Sequence, residues 1–362
     1  MRFFAAPRAR QCGAALLTAM LTVTLVATFA AAALWQQWRA AEVESAERAR
    51  VQSAWVLIGA LDWARLILRE DARAAAAGVP GAGAAGADHL AEPWAVPLEE
   101  ARLSSFLAAE KNIASDSLEG LPDAFLSGRI VDAQSKLNVM NLVDGGKPVA
   151  ASVATFTKLF ELLGLPTQEV AVLAANLQRA MPPGGGAPAP GAAAGAPSPR
   201  ARASTPQSAP VGGDSAATGP LMPRRTEQLV WLGLSSTTVA ALQPYVTVLP
   251  GQTKLNINTA SAEALFASVP SLDLAGAKRL VAQRTRGYFR SLADASGFVQ
   301  ESSSQFNEGQ HGVATRYFEV HGRLRLDRTW VEEQSLLQRD GIDVRIIWRE
   351  RGAGATASAP KP

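Results

Sequence analysis

The sequence predicts an α+β protein with one very long N-terminal helix, two groups of short strands, and a helical region between the two groups. Three observations predict this class. An apolar run from Ala14 to Trp35 continues without proline into an amphipathic segment. Strand patterns occur near Gly128 and again after Tyr317. Helix–turn–helix units fill the chain between them, so strands and helices are segregated along the sequence.

The apolar run is long enough to cross a membrane. No charged residue occurs between Arg10 and Arg39, and Ala14–Trp35 would form a helix of about 33 Å. Basic residues precede the run without acidic neighbours, so the positive-inside rule places the N-terminus in the cytoplasm and exports the rest. A cleaved secretory signal is the alternative, because Ala30–Ala33 supplies an A-x-A site, although the run exceeds the usual signal core.

The segment after the run is expected to extend the same helix. Between Gln36 and Ala75 there is no proline, and the only glycine is Gly59. Apolar residues recur with the period of a helix that buries one stripe. These residues are Ala54, Leu57, Leu61, Ala64 and Leu68. The chain is therefore expected to begin as a long stalk that continues into a packed domain.

Short strands are predicted on both sides of the helical region. The expected strands are Arg129–Asp132, Leu137–Leu142, Tyr317–Asp327, Val331–Leu337 and Ile342–Trp348. Asp340-Gly341 joins the last two as a hairpin signal. In the third strand the apolar residues share one face, and they are Phe318, Val320, Leu324 and Leu326.

Three helix–turn–helix units are predicted between the strand groups, at Phe160–Leu177, Glu227–Val246 and Glu263–Arg284. In each unit a short breaker separates an apolar helix end from a capped second helix. Such units cannot bury their apolar faces singly, so they are expected to pack together.

A stretch inside the helical region is not expected to fold. Pro182–Pro220 is rich in proline, alanine, glycine and serine, and it is expected to be disordered.

The residues favour no catalytic activity. His89, His311 and His321 are not in a metal-ligand spacing, and there is no G-x-S-x-G elbow or Walker lysine. Cys12 is the only cysteine, which excludes an intramolecular disulfide and a thiolate metal site. The net charge of +3 is small and the arginines are scattered among acids, so the composition is weak support for nucleic-acid binding. An exported hydrolase is therefore a hypothesis without a catalytic set.

One local pattern does suggest nucleic acid. Lys254–Arg284 is similar to the helix-hairpin-helix motif, which binds DNA phosphates through backbone amides of a glycine-bearing hairpin. Here the hairpin is Ser271–Leu274, which contains no glycine and contributes the carboxylate of Asp273. A packing unit is the favoured interpretation. A membrane-anchored DNA-binding protein of the competence type is the functional alternative.

Seven stretches, taken together, resemble one protein family. They are RARQCGAALLTAMLTVTLVATFAAAALW at the start, WARLILRED at Trp63, DHLAEPWA at Asp88, GRIVDAQSKLNVMNLV at Gly128, LNINTASAEAL at Leu255, YFEVHGRLRLDR at Tyr317 and LLQRDGIDVRIIWRER at Leu336. They occur in the order found in the K-type minor pseudopilins of the bacterial type II secretion system. The chain is similar to this family from its leader to Arg351.

The resemblance implies how the N-terminus is processed. Prepilin peptidase would cut after Gly13 and leave a methylated Ala14 as the mature N-terminus, so the apolar helix is kept. Most pilins have glutamate at the fifth mature position, whereas this chain has Thr18. The K-type family shares this departure, which fits a subunit that has no neighbour above it.

The resemblance also implies a fold and its boundaries. The fold is a pilin-like long N-terminal helix on a small antiparallel sheet, with a large helix-hairpin-helix or SAM-like domain inserted between strands. The expected parts are a leader at 1–13, the transmembrane helix at 14–35, its periplasmic continuation at 36–75, the first part of the pilin-like domain at 76–148, the inserted helical domain at 149–310 with 182–220 disordered, the C-terminal strands at 311–351 and a disordered tail at 352–362.

The function implied by the resemblance is structural. Such a subunit joins the I-type and J-type minor pseudopilins at the tip of the pseudopilus, caps it and helps to start its assembly. It is a single-pass protein of the Gram-negative inner membrane with a periplasmic C-terminal domain, and no nucleic acid is expected as a partner. Family members bind calcium in the helical domain. In Pro182–Pro220 the only acidic residue is Asp214, so no calcium ligand is assigned.

Overall fold

The computed structural model describes residues 14–77, 86–103, 124–181, 219–299, 306–326 and 329–353. The expected leader, nearly all of the expected disordered stretch 182–220, and most of the expected tail lie outside these residues. The chain divides into two units, one ending at Gly59 and one beginning at Ala60. The second unit contains the sheet and the helical region.

The helices are α1 (Ala14–Ala76), α2 (Ala150–Leu163), α3 (Gln168–Ala180), α4 (Ser236–Leu242), α5 (Ala262–Ser268), α6 (Leu274–Arg286) and α7 (Leu292–Ser296). The longer strands are β1 (Leu98–Arg102), β2 (Ala124–Asp132), β9 (Tyr317–Leu326), β10 (Thr329–Asp340) and β11 (Asp343–Ala353). Two-residue strands are β3 (Leu137–Asn138), β4 (Val143–Asp144), β5 (Lys147–Pro148), β6 (Val246–Thr247), β7 (Leu255–Asn256) and β8 (His311–Gly312). Short 3-10 helices cover Pro93–Ala95, Ala133–Ser135, Val139–Leu142 and Thr226–Leu232.

The predicted continuous stalk is confirmed, because α1 is one helix of 63 residues. In the first unit, every described side chain from Ala15 to Arg48 is exposed. In the second unit, Leu61, Ala64 and Leu68 form the buried stripe. They pack with Trp94, Phe318 and Leu337 into one apolar cluster. Each large side chain buried in this way contributes about 1.5–3 kcal/mol.

The five longer strands form one sheet in the order β1-β2-β9-β10-β11, and every neighbouring pair is antiparallel. The predicted inner face of β9 is confirmed, since Phe318, Val320, Leu324 and Leu326 are all buried. The predicted hairpin is also confirmed. Gly341 has φ +58°, which a residue with a Cβ rarely adopts, and it turns the chain between β10 and β11. Ile342 belongs to this turn, and β11 continues to Ala353.

The helical region is inserted between β2 and β9, which are neighbours in the sheet. Its core joins side chains from all three predicted helical units, including Phe160, Leu232 and Leu265. The breakers act as expected: Gly164 ends α2 in the left-handed conformation, and Asp273 caps the N-terminus of α6. The first part of the second unit is a 3-10 helix, Thr226–Leu232, where an α-helix was expected.

The prediction of a strand over Leu137–Leu142 was wrong. Only Leu137–Asn138 is extended, and Val139–Leu142 forms a 3-10 helix. The cause is the side chain of Asn138, whose Oδ1 accepts the backbone N–H groups of Met140 and Leu249, both at 3.1 Å. An asparagine that bonds nearby backbone in this way competes with strand pairing. The apolar residues of this segment belong to the core of the insert.

Candidate functional site

A buried polar junction lies where β2 ends and the insert begins. Asp132 is fully buried, and its Oδ1 accepts the N–H of Gln134 at 2.7 Å. Its Oδ2 accepts from Asn256 Nδ2 at 2.9 Å and from the Thr259 hydroxyl at 2.5 Å. Burial raises the pKa of Asp132 above its usual value, and these hydrogen bonds oppose the shift. One carboxylate therefore holds the sheet and the insert together.

The segment that contains Asn256 connects further parts of the chain to this junction. Asn256 Nδ2 also donates to the carbonyl oxygen of Asp88 at 3.1 Å. Asn258 exchanges two hydrogen bonds with the backbone of Phe289, both at 2.9 Å. Arg284 donates from Nη1 to the carbonyl oxygens of Ile257, at 2.9 Å, and Ala260, at 2.5 Å. The LNINT stretch is thus a connector whose polar side chains are nearly all satisfied inside the protein.

Beside the junction, three acidic side chains lie close together under the inner face of the sheet, and two of them contact one arginine. Arg339 of β10 donates to Asp71 of α1, with Nη1 and Oδ2 2.7 Å apart, and to Oδ1 of Asp88. Asp88 Oδ2 accepts the N–H of Thr315 at 2.6 Å. Glu92 accepts from the N–H of His89 at 3.0 Å. We call Asp71, Asp88, Glu92 and Arg339 the acidic cluster.

The acidic cluster holds more negative than positive charge, and burial penalises each carboxylate. Burial raises the pKa of Glu92 to about 7, and repulsion from Asp71 adds to the shift. Burial also raises the pKa of Asp88 to about 6, although the Arg339 guanidinium opposes it. The pKa of Asp71 is raised by burial as well. Burial would lower the pKa of Arg339, but the carboxylates of Asp88 and Asp71 outweigh it and raise the value.

His89 belongs to the same surroundings as a neutral ring. It stacks on Tyr288 with ring centroids 3.9 Å apart, and burial lowers its pKa. Nδ1 accepts the N–H of Ala91 at 3.2 Å, which places the imidazole proton on Nε2. Nε2 lies 3.9 Å from Glu92 Oε1, beyond hydrogen-bond distance. The ring therefore packs one part of the insert against the segment after α1.

The acidic cluster does not fit a calcium ion. Ligand oxygens of Asp71, Asp88 and Glu92 lie within 4.8 Å of one another, and within the described ranges no other such group of acidic, histidine or cysteine side chains occurs. However, Arg339 already donates hydrogen bonds to two of the three carboxylates, and the neutral Nε2–H of His89 is a donor that cannot bind a metal. The cluster also lies under the sheet, whereas the family resemblance implies calcium in the helical domain.

The predicted N-terminal site residues are placed only in part. Gly13 lies outside the described residues, and Ala14 is the first residue of α1. The Thr18 hydroxyl donates to the carbonyl oxygen of Ala15 at 3.0 Å, within the helix. Over the described part of the chain, α1 is the one helix long and apolar enough to cross a membrane.

The helix-hairpin-helix segment has its backbone groups occupied by the protein itself. Asp273 Oδ1 accepts the N–H of Gly276 at 2.6 Å. Lys158 Nζ donates to the carbonyl oxygens of Val269, Pro270 and Leu272 at 2.9 to 3.0 Å. A carboxylate therefore stands at the helix N-terminus where a phosphate would bind in a DNA-binding hairpin. This geometry agrees with the interpretation of a packing unit.

Sequence reasoning did not single out Asp71, Asp88, Glu92, Asp132 or Arg339 as a site. A signal was nevertheless present, because all five lie within the stretches WARLILRED, DHLAEPWA, GRIVDAQSKLNVMNLV and LLQRDGIDVRIIWRER. The stretches that carry the family resemblance are those that meet at the junction and the acidic cluster.

Comparison with known proteins gives consistent matches. Two family models, both described as type II secretion system protein K, match residues 135–251 and 255–314. Type II secretion system protein K of Pseudomonas aeruginosa is 28% identical over 359 residues, covering 96% of this chain and 95% of that protein. A chain in the crystal structure of the GspK–GspI–GspJ complex of enterotoxigenic Escherichia coli has a TM-score of 0.51 and 17% identity, covering 84% of this chain and all of that one.

A long N-terminal helix on an antiparallel sheet, with a helical domain inserted between neighbouring strands, defines a pilin-like subunit. The fold class predicted from the sequence is confirmed. The chain is similar to type II secretion system protein K over both matched segments and, in the Pseudomonas aeruginosa relative, over nearly its whole length. This similarity supports the role of a minor pseudopilin in type II secretion.

Proposed function

We propose that the chain is the minor pseudopilin at the tip of the type II secretion pseudopilus, where it caps the filament and helps to initiate its assembly for the export of folded proteins across the outer membrane. The observation that carries this proposal is the helical insert between β2 and β9. Pseudopilins stack through their N-terminal helices. A large domain fixed to the sheet would obstruct a further subunit on that side, so this subunit ends the stack. The role is structural and needs no catalysis.

The N-terminus supports the same position in the filament. Cleavage between Gly13 and Ala14 by prepilin peptidase would make Thr18 the fifth mature residue. The Thr18 side chain is neutral and bonds within its own helix. It cannot form an ion pair with the N-terminal amine of a subunit above, and a topmost subunit needs none.

α1 and its flanking charges support insertion of the chain into the membrane before assembly. Residues 14–35 would cross the inner membrane once, with the basic N-terminus in the cytoplasm and the remainder in the periplasm. Arg39 lies over the Trp35 ring, 4.8 Å from its centroid, and both residue types are common at membrane interfaces. We also propose that the pilin-like domain consists of residues 76–148 and 311–351, with the helical domain at 149–310 inserted between them.

The proposed partners are the I-type and J-type minor pseudopilins, since the similar solved chain comes from a GspK–GspI–GspJ complex. The test is affinity purification of the full chain from detergent extracts of cells that also make the cognate I-type, J-type and major pseudopilins. We expect I-type and J-type subunits to copurify in constant proportion. Recovery of neither, or of the major subunit alone, contradicts the proposal.

Mass spectrometry of the mature N-terminus tests the processing step. We expect a chain that begins with methylated Ala14 when prepilin peptidase is present, and an uncut chain when it is absent. A mature start near Ala33 or Leu34 would instead support a cleaved signal.

The DNA-binding alternative has a separate test. Salt-sensitive binding of a DNA duplex by the full chain would favour it.

A further inference from the structure

A polar groove of about 480 Å³ lies between the outer face of the sheet and the helical insert. Arg129 of β2 and Trp348 of β11 line it from the sheet. Lys136, Arg224, Arg225 and Glu227 line it from the insert. Its volume lies in the range of pockets that bind small molecules or a few residues of a peptide. Because the insert forms one wall, a pilin-like sheet without this insert would not have the groove.

The charges in this groove are not balanced within the protein. Lys136 pairs with Glu319, with Nζ and Oε2 3.4 Å apart, and Arg225 pairs with Glu350 at the rim. Arg129 and Arg224 are exposed, and neither has an ion-pair partner among the residues that the structure describes. The groove thus presents two unmatched guanidinium groups, each able to bind a carboxylate through two parallel hydrogen bonds.

The groove also contains groups that accept hydrogen bonds. The carboxylate of Glu227 faces it, and its Oε1 accepts from Gln243 Nε2 at 2.9 Å. Glu319 lies on the sheet wall. A nucleic-acid backbone offers only acceptors and negative charge near these carboxylates, so they would repel it. A peptide offers backbone N–H donors as well as acidic side chains, and it can therefore satisfy both kinds of lining group.

We propose that this groove binds an acidic, extended segment of a partner protein, with carboxylates on Arg129 and Arg224 and a backbone N–H on Glu227. The assignment does not depend on which subunit of the secretion system supplies the segment. It predicts a surface for association on the outer face of the sheet, separate from the apolar α1 helix.

The test uses the full chain in detergent micelles with a blocked tetraglutamate peptide as the probe, and a tetraglutamine peptide and a DNA duplex for comparison. The double variant Arg129→Gln, Arg224→Gln removes the two unmatched charges. Its matched control is Arg286→Gln, Arg290→Gln, which removes two exposed arginines outside the groove that have no ion pair among the described residues. Binding at the groove wall is followed by the NMR resonance of the Trp348 indole N–H. This resonance is identified by its absence from the spectrum of the variant Trp348→Phe.

We expect saturable binding of tetraglutamate, no binding of tetraglutamine and a shift of the Trp348 resonance. The groove variant should bind at least tenfold more weakly at an unchanged thermal midpoint, and the control variant should stay within twofold. Equal weakening in both variants would mean unspecific charge attraction and would overturn the proposal. So would an unmoved Trp348 resonance, or tighter binding of the duplex than of the peptide.

Discussion

The arginines on the two faces of the sheet differ in whether they have carboxylate partners within the protein. On the inner face, Arg339 lies mostly buried between Asp71 and Asp88, so the positive charge meets its partners inside the protein. In the groove on the outer face, Arg129 of the sheet and Arg224 of the insert are exposed and have no ion-pair partner among the described residues. Buried charges need fixed partners to offset the cost of removing them from water, whereas exposed charges do not. Charge on the inner face should therefore govern stability, and charge on the outer face should govern association.

The largest effect is expected from Arg339→Met. The change leaves Asp71 and Asp88 buried without their cation, which should cost about 3–5 kcal/mol of the free energy of unfolding at pH 8. Urea unfolding of the full chain in detergent, followed by tryptophan fluorescence, measures it. The matched control is Arg345→Met on β11, where the side chain is exposed. A loss below about 1 kcal/mol would contradict the assignment of Arg339 as the buried counter-ion.

A somewhat smaller effect is expected from Asp132→Ala at the junction. Three donors, from Gln134, Asn256 and Thr259, lose their acceptor in a buried place, which should cost about 3 kcal/mol. The same unfolding experiment measures it. Asp132→Asn keeps one side-chain acceptor and should lose less. If both variants unfold like the unmodified chain, Asp132 does not hold the insert to the sheet.

Glu92 and Asp88 should make the protein less stable as pH rises from about 4.5 to 7, and they act against the buried His311, whose pKa burial lowers to about 4 and whose contribution to stability rises with pH. The pKa of Glu92 is raised to about 7 and that of Asp88 to about 6, so the folded state keeps protons that the unfolded chain releases. Each proton lost from the folded state leaves an unfavourable buried charge. From these two groups we expect a decrease of about 1–2 kcal/mol over this range, measured by urea unfolding at several pH values.

The variant Glu92→Gln locates the origin of this pH dependence. A glutamine can still accept the N–H of His89 and the indole N–H of Trp94, but it cannot ionise. The decrease of stability with pH should therefore become shallower, and the variant should be the more stable protein at pH 8. A decrease as steep as before would assign the titration to other groups.

The smallest effect on stability is expected on the outer face. The double variant Arg129→Gln, Arg224→Gln removes exposed charges without partners, so the free energy of unfolding should change by less than about 0.5 kcal/mol. The same urea experiment measures it. A loss above about 1 kcal/mol would mean that these arginines stabilise the fold, and the contrast between the two faces would fail.

The elements predicted correctly are those whose signals are local. The stalk could be predicted because α1 has no proline and repeats its apolar residues with a helical period. The hairpin could be predicted because Asp340-Gly341 is a turn signal by itself. Leu137–Leu142 could not, since its apolar residues suit a strand equally well. Only in the fold does Asn138 meet Leu249 and Gly251, which fix its side chain in the competing turn.

The sequence by itself determined the apolar helix that can cross a membrane, the inner face of β9 and, through seven stretches in a fixed order, the resemblance to one family. These properties depend on residues close to one another along the chain. The tertiary structure decided that Asp71 and Asp88 share the guanidinium of Arg339, which lies 268 positions after Asp71. It also decided that Arg129 and Arg224 have no ion-pair partner among the described residues. Burial and pairing of charges depend on which distant segments the fold brings together, and no local pattern records that.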